Sequence, residues 1–95
     1  MSDYEMIVIM KPDIDEEEKP KVIDKLSQLI SDREGIVEET KQLGKKRLAY
    51  SINGFVEGEY VQTRFKLEPK FVKELDGDIK DSAEIIRSLI IKKSK

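Results

Sequence analysis

The sequence contains neither cysteine nor histidine. Without thiols there can be no disulfide and no Cys-based metal site. Without imidazole the usual general base and the commonest metal ligand are lost together. Carboxylates are plentiful, as in Glu16-Glu17-Glu18 and Glu38-Glu39, but nothing apolar surrounds them that would tune a pKa for acid-base work. The chain is therefore expected to be no enzyme and to hold no metal and no cofactor. Long apolar runs are also missing: none approaches the roughly 18 residues that span a membrane. Met1-Ser2-Asp3-Tyr4 is acidic and lacks signal-peptide character. These absences lead us to expect a soluble, cytoplasmic protein.

What is present is charge. Of the 95 residues, 40% are charged and 38% hydrophobic. Such a chain is expected to form one domain, residues 1–95, with a modest core and a densely ionic surface. The net charge of −2 hides an asymmetry: residues 1–40 carry −7, residues 41–66 carry +4 and residues 67–95 carry +1. A pI near 5.3 argues against a strong nucleic-acid binder acting alone, because counterion release needs many cations on one face. A local basic patch on an acidic body fits RNA contact shared with a second, more basic protein.

The order of elements follows from periodicity. Tyr4 to Met10 reads as a central strand, with Tyr4, Met6, Val8 and Met10 on one face and Ile7 and Ile9 on the other. A helix follows. Asp15 and Glu18 have capping-box spacing, Pro20 allows a start as late as Lys19, and Gly35 suits the C′ position. Val22, Ile23, Leu26, Leu29 and Ile30 form its apolar stripe. A second strand starts at Ile36-Val37, with a bulge or bend expected at Gly44. Asn53-Gly54 and Gly58 signal a hairpin turn. A third strand, Glu59 to Leu67, turns Val61, Thr63, Phe65 and Leu67 inward. A second helix begins near Pro69, striped by Val72, Leu75 and Ile79 and weakened by Gly77. The last strand lies near Glu84 to Ile91, with Ile86 and Ile90 expected in the core. A basic tail, Lys92-Lys93-Ser94-Lys95, is expected to be mobile.

Strand, helix, strand, strand, helix, strand is the split βαβ order of the ferredoxin-like fold. The fold class is α+β: a four-stranded antiparallel sheet with two helices on one face. Right-handed crossovers place strands one and three centrally and two and four at the edges. The open face then gathers Ile7, Ile9, Tyr60, Gln62, Arg64, Arg87, Leu89 and Ile91. An apolar patch of that size favours a protein partner, unless long side chains of Arg64, Lys66 and Arg87 cover it. Gly58 to Thr63 lacks the paired aromatics of an RNA-recognition module, so base stacking on the sheet is not expected. Lys11-Pro12-Asp13 lacks the glycines of an anion-cradling loop, which argues against an acylphosphatase-like site.

One stretch stands apart: Leu43-Gly44-Lys45-Lys46-Arg47-Leu48-Ala49-Tyr50-Ser51-Ile52-Asn53. A glycine interrupts a β-type run, three cations follow, and Leu48, Tyr50 and Ile52 then alternate with Arg47, Ala49 and Ser51. This suggests a binding surface that offers phosphate contacts. The plainer alternative is a solvated edge strand whose lysines oppose aggregation. Gly44 to Asn53 also resembles the signature of the bacterial small-subunit ribosomal protein six family: Gly, any residue, a basic residue, a polar or charged residue, Leu, Ser or Ala, Tyr, any residue, Ile, then a small or polar residue. Length and element order agree along nearly the whole chain.

The resemblance implies a structural constituent of the small ribosomal subunit. It further implies a heterodimer with small-subunit ribosomal protein eighteen, the two together binding the central domain of small-subunit ribosomal RNA. By position, Lys45, Lys46 and Arg47 are the first candidates for RNA contact, then Arg87, Lys92 and Lys93. Leu48, Tyr50 and Ile52 are the first candidates for partner contact, then Ile7, Ile9 and Tyr60. The isolated chain is expected to be monomeric, with no membrane and no small-molecule substrate as partners. The competing hypothesis is a small-ligand regulatory ferredoxin-like domain that self-associates. It would need a glycine-lined pocket at a strand-helix junction, and none is evident.

Overall fold

A computed structural model describes residues 1–93. The elements are β1 (Ser2–Met10), α1 (Lys19–Ser31), β2 (Ile36–Ile52), β3 (Phe55–Leu67), a 3₁₀ turn (Pro69–Phe71), α2 (Val72–Lys80) and β4 (Ile85–Lys92). The sheet order is β2-β3-β1-β4, with every pairing antiparallel. This is the ferredoxin-like arrangement read from the sequence, with β1 and β3 central.

Burial follows the period-2 pattern. Tyr4, Met6, Val8 and Met10 of β1 share one core with Val61, Phe65 and Leu67 of β3. Tyr4 and Phe65 stack with ring centroids 5.6 Å apart. Val22, Leu26 and Ile30 of α1 and Leu75 and Ile79 of α2 close that core from the same side. Arg33 ties the helices together through Asp78 and, at 3.5 Å, Glu74. Among the described residues, the other face of the sheet carries no helix. On it lie Ile7 between Gln62 and Leu89, and Ile9 between Tyr60 and Arg87, as the register shows.

Four local readings are corrected. The capping box does not form: Asp15 accepts the Glu18 amide through its backbone carbonyl, and Glu18 caps α1 without a side-chain bond. Gly35 is not the left-handed residue after α1; Glu34 takes that role with φ 62°. Gly58 is not part of the turn but lies inside β3. It is a glycine because a Cβ there would come within 2.4 Å of Ile9 Cγ2 and 3.1 Å of the Met10 carbonyl oxygen. Ile86 does not join the core. A register shift between Ile9 and Met10 seats Ile85 opposite Met10 instead. Ile86 Cδ1 then lies 3.6 Å from where a Gly58 Cβ would be. A bulge repeats one side-chain direction and so breaks the alternation used to place Ile86.

Candidate nucleic-acid and partner interface

The β2–β3 hairpin outruns the sheet. β1 stops pairing with β3 at Met10 opposite Glu59, while β3 continues to Phe55. Residues 55–58 and the matching part of β2 therefore form a two-stranded arm. Asn53 and Gly54 close it with φ of 51° and 84°, the double positive φ of a type I′ turn, whose twist suits a hairpin. The arm is offset from the rest of β2 by a bulge at Leu43-Gly44. The register jumps between Gln42 and Gly44, and Gly44 holds φ 92°.

Lys45, Lys46 and Arg47 emerge immediately beyond that bulge, opposite Glu59, Gly58 and Glu57. All three are exposed. Lys46 reaches across the open face to 5.6 Å from the Tyr60 ring centroid. Among the described residues none of the three forms an ion pair. Their neighbours in the basic stretch do: Lys41 and Arg64 both take Glu39, and Lys66 faces Asp3. The doubled contact from Arg64 holds the Glu39 carboxyl below its ordinary value. The structure thus leaves this cationic run available and neutralises the cations around it.

Of the remaining expected RNA contacts, Arg87 comes near the tip of the arm, while Lys92 and Lys93 lie at the other end of β4. β4 is the far edge of the sheet, about 14 Å from β2 at ordinary strand spacing. Arg87 is exposed on the open face beside Ile9. It also lines a shallow hollow with Ile52 and Asn53 at the tip of the arm. Lys92 lies at the opposite end of β4, across from Tyr4. Lys93 is exposed but ion-paired: its ammonium lies 3.1 Å from Glu5, and its amide donates to the Asp3 carbonyl. Ser94 and Lys95 of the basic tail lie outside the described residues.

The expected partner contacts also divide. Tyr50 is 60% exposed on the arm, and Val56, which the sequence reading did not single out, is 57% exposed on the facing strand. Ile7, Tyr60 and Ile52 are half-buried. Ile7 lines an apolar hollow of about 170 Å³ with Ile9, Arg87 and Leu89. Arg64 does not cover this patch, because Glu39 draws it aside. Ile9 and Leu48 are corrected: each is 8% exposed, so the monomer itself buries them. Ile9 fills the space above Gly58. Leu48 lies where β2 leaves one-to-one register, residues 48–51 standing against Val56 alone.

A buried ion pair was also missed. Lys19 Nζ, at the first residue of α1, donates to Glu59 Oε1 at 3.0 Å, and the pair is nearly enclosed. The Glu59 bond raises the Lys19 pKa above its ordinary value, against the opposing effect of burial. Forty residues separate the two, so no local spacing could reveal the contact. Among the described residues no group of His, Cys, Asp and Glu is placed to hold a metal, and no helix is long and apolar enough to cross a membrane.

A family model described as "Ribosomal protein S6" matches residues 3–92. The small ribosomal subunit protein bS6 of Exiguobacterium sibiricum is 39% identical over 95 residues, covering all of both chains. That of Moorella thermoacetica is 40% identical over 90 residues, covering 95% of this chain and 92% of its own. The crystal structure of 30S ribosomal protein S6 from Thermotoga maritima superposes with a TM-score of 0.91 at 27% identity. It covers 97% of this chain and 87% of that one.

Proposed function

The chain belongs to the ribosomal protein S6 family, and from that premise we propose that it is a structural component of the small ribosomal subunit. In this reading the β2–β3 arm contacts the central domain of small-subunit ribosomal RNA, jointly with ribosomal protein eighteen as a heterodimer. Lys45, Lys46 and Arg47 meet phosphates; Arg87 extends the contact near the tip of the arm. Tyr50, Val56, Ile7, Tyr60 and Leu89 offer the apolar surface to the partner. The chain acts as one domain, and alone it is a monomer.

One observation carries the reading. The three consecutive cations lack acidic partners among the described residues, beside exposed Tyr50 and Val56, on a chain of net charge −2. Cations held only to solubilise an edge gain nothing from adjacent exposed apolar groups; an interface with RNA on one side and protein on the other uses both. The acidic body repels phosphate, so the arm needs a basic partner to bind tightly.

Titration of a central-domain RNA fragment tests this, run with each protein alone and then with both. This chain alone is expected at the non-specific level, a Kd of roughly 10⁻⁴ to 10⁻⁶ M at physiological salt. With the partner the complex is expected to reach roughly 10⁻⁸ M or tighter. Tight, specific binding by this chain alone would sink the shared surface and point to the open sheet as a direct RNA-binding face.

A further inference from the structure

Lys45 stands directly opposite Glu59 in the β2–β3 ladder. Opposed side chains of an antiparallel pair share a face, with Cβ atoms about 4.5–5.5 Å apart. A free Glu59 carboxylate would therefore be the nearest partner for the Lys45 ammonium. One oxygen of that carboxylate, Oε1, is already engaged. Lys19 Nζ bridges Glu59 Oε1 at 3.0 Å and Glu16 Oε1 at 3.3 Å. The Lys19 and Glu59 side chains keep only 11% and 8% of their exposure. A pair so enclosed is screened far less than an exposed one. Lys45 remains exposed and, among the described residues, unpaired.

We propose that Lys19 is a positioning residue for RNA contact: by holding the Glu59 carboxylate at the start of α1, it keeps the Lys45 ammonium free for a phosphate. The inference rests on the reading above, in which Lys45 meets RNA. If Lys19 is removed, Glu59 turns to the cation opposite it, and Lys45 is neutralised within its own chain. A cation neutralised in that way no longer releases a counterion when phosphate arrives.

The test compares wild type with K45Q, K19M and K19M/E59Q, each bound with the partner protein to the central-domain RNA fragment over a salt series. K45Q is expected to lower the slope of log K against log salt by up to about 0.9. K19M is expected to lower it equally, although it removes no cation from the arm. E59Q in the K19M background is expected to restore it, which a merely structural role of Lys19 would not do. A slope lowered by K45Q but not by K19M overturns this inference and leaves the phosphate contact standing. A slope unchanged by K45Q removes both. Amine labelling of the wild-type protein gives an answer even if K19M does not fold. Lys45 is expected to label as fast as Lys25, which is exposed on α1; a protected Lys45 would mean that Glu59 already holds it.

Discussion

Tyr50 and Leu48 lie two residues apart on one strand, and truncation should affect them in opposite ways. Tyr50 is exposed and Leu48 is buried. Tyr50→Ala should move stability by no more than about 0.5 kcal/mol, as exposed substitutions generally do. If Tyr50 anchors the partner, the same change should cost association about 2 kcal/mol or more. Leu48→Ala should instead cost folding about 2 kcal/mol or more, because it empties a filled site. Urea denaturation of each variant, paired with calorimetric titration of the partner, separates the two effects. Glu39 offers a test in pH. Its carboxyl is held below the ordinary 4.5 chiefly by the Arg64 hydrogen bonds. A depressed carboxylate stabilises the fold above its unfolded pKa and loses that effect as pH falls through the folded value. The difference in Tm between wild type and E39Q should therefore be greatest near neutral pH and shrink below about pH 4.5. A difference that grows in acid would refute the assignment.

At the scale of elements, the hairpin arm depends on the bulge that offsets it. Gly44 has open space where a Cβ would go, so only its positive φ opposes substitution. Gly44→Ala should cost roughly 1–2 kcal/mol, and its larger effect should be on register beyond Leu43, visible as altered amide exchange from Lys45 to Arg47. Changing Lys45, Lys46 and Arg47 together to Gln should leave urea stability nearly unchanged, since each is an exposed side chain. RNA assembly should weaken, with a flatter salt slope. If the slope holds and the triple variant self-associates more readily, the three cations guard a strand edge instead. These elements were legible to different degrees. Strand faces and helix stripes could be read directly, because alternation in β1 and β3 and the spacing of Val22, Leu26 and Ile30 have one burial solution. The bulge at Gly44 was legible from a glycine inside a β-type run. The bulge in β4, opposite Ile9 and Met10, has no such marker in Ile85-Ile86-Arg87, so simple alternation puts Ile86 on the wrong face. Gly58 carried a turn signal, but its smallness serves Ile9, a neighbour 49 positions away that no local window contains. The cationic run of the site was legible in the same way; the ion pairing of Lys93 and the burial of Leu48 arise from tertiary contacts.

For the whole molecule, one core unites both helices with strands β1 and β3. Unfolding should accordingly be a single transition, with coincident urea curves from far-UV and near-UV circular dichroism. Separated curves would show that the arm melts on its own. The sheet order has a further consequence, in time. β1 ends at Met10 and its second neighbour, β4, at Lys92. During synthesis at about 5–20 residues per second, the most apolar strand waits roughly 4–16 s for that neighbour to be made. Late in that interval, once Leu67 has been added, the nascent chain can zip β2 onto β3 and β3 onto β1, yet one flank of Ile7-Val8-Ile9 stays unclaimed. A newly made copy thus keeps an open strand edge that another copy could pair with until its last strand arrives.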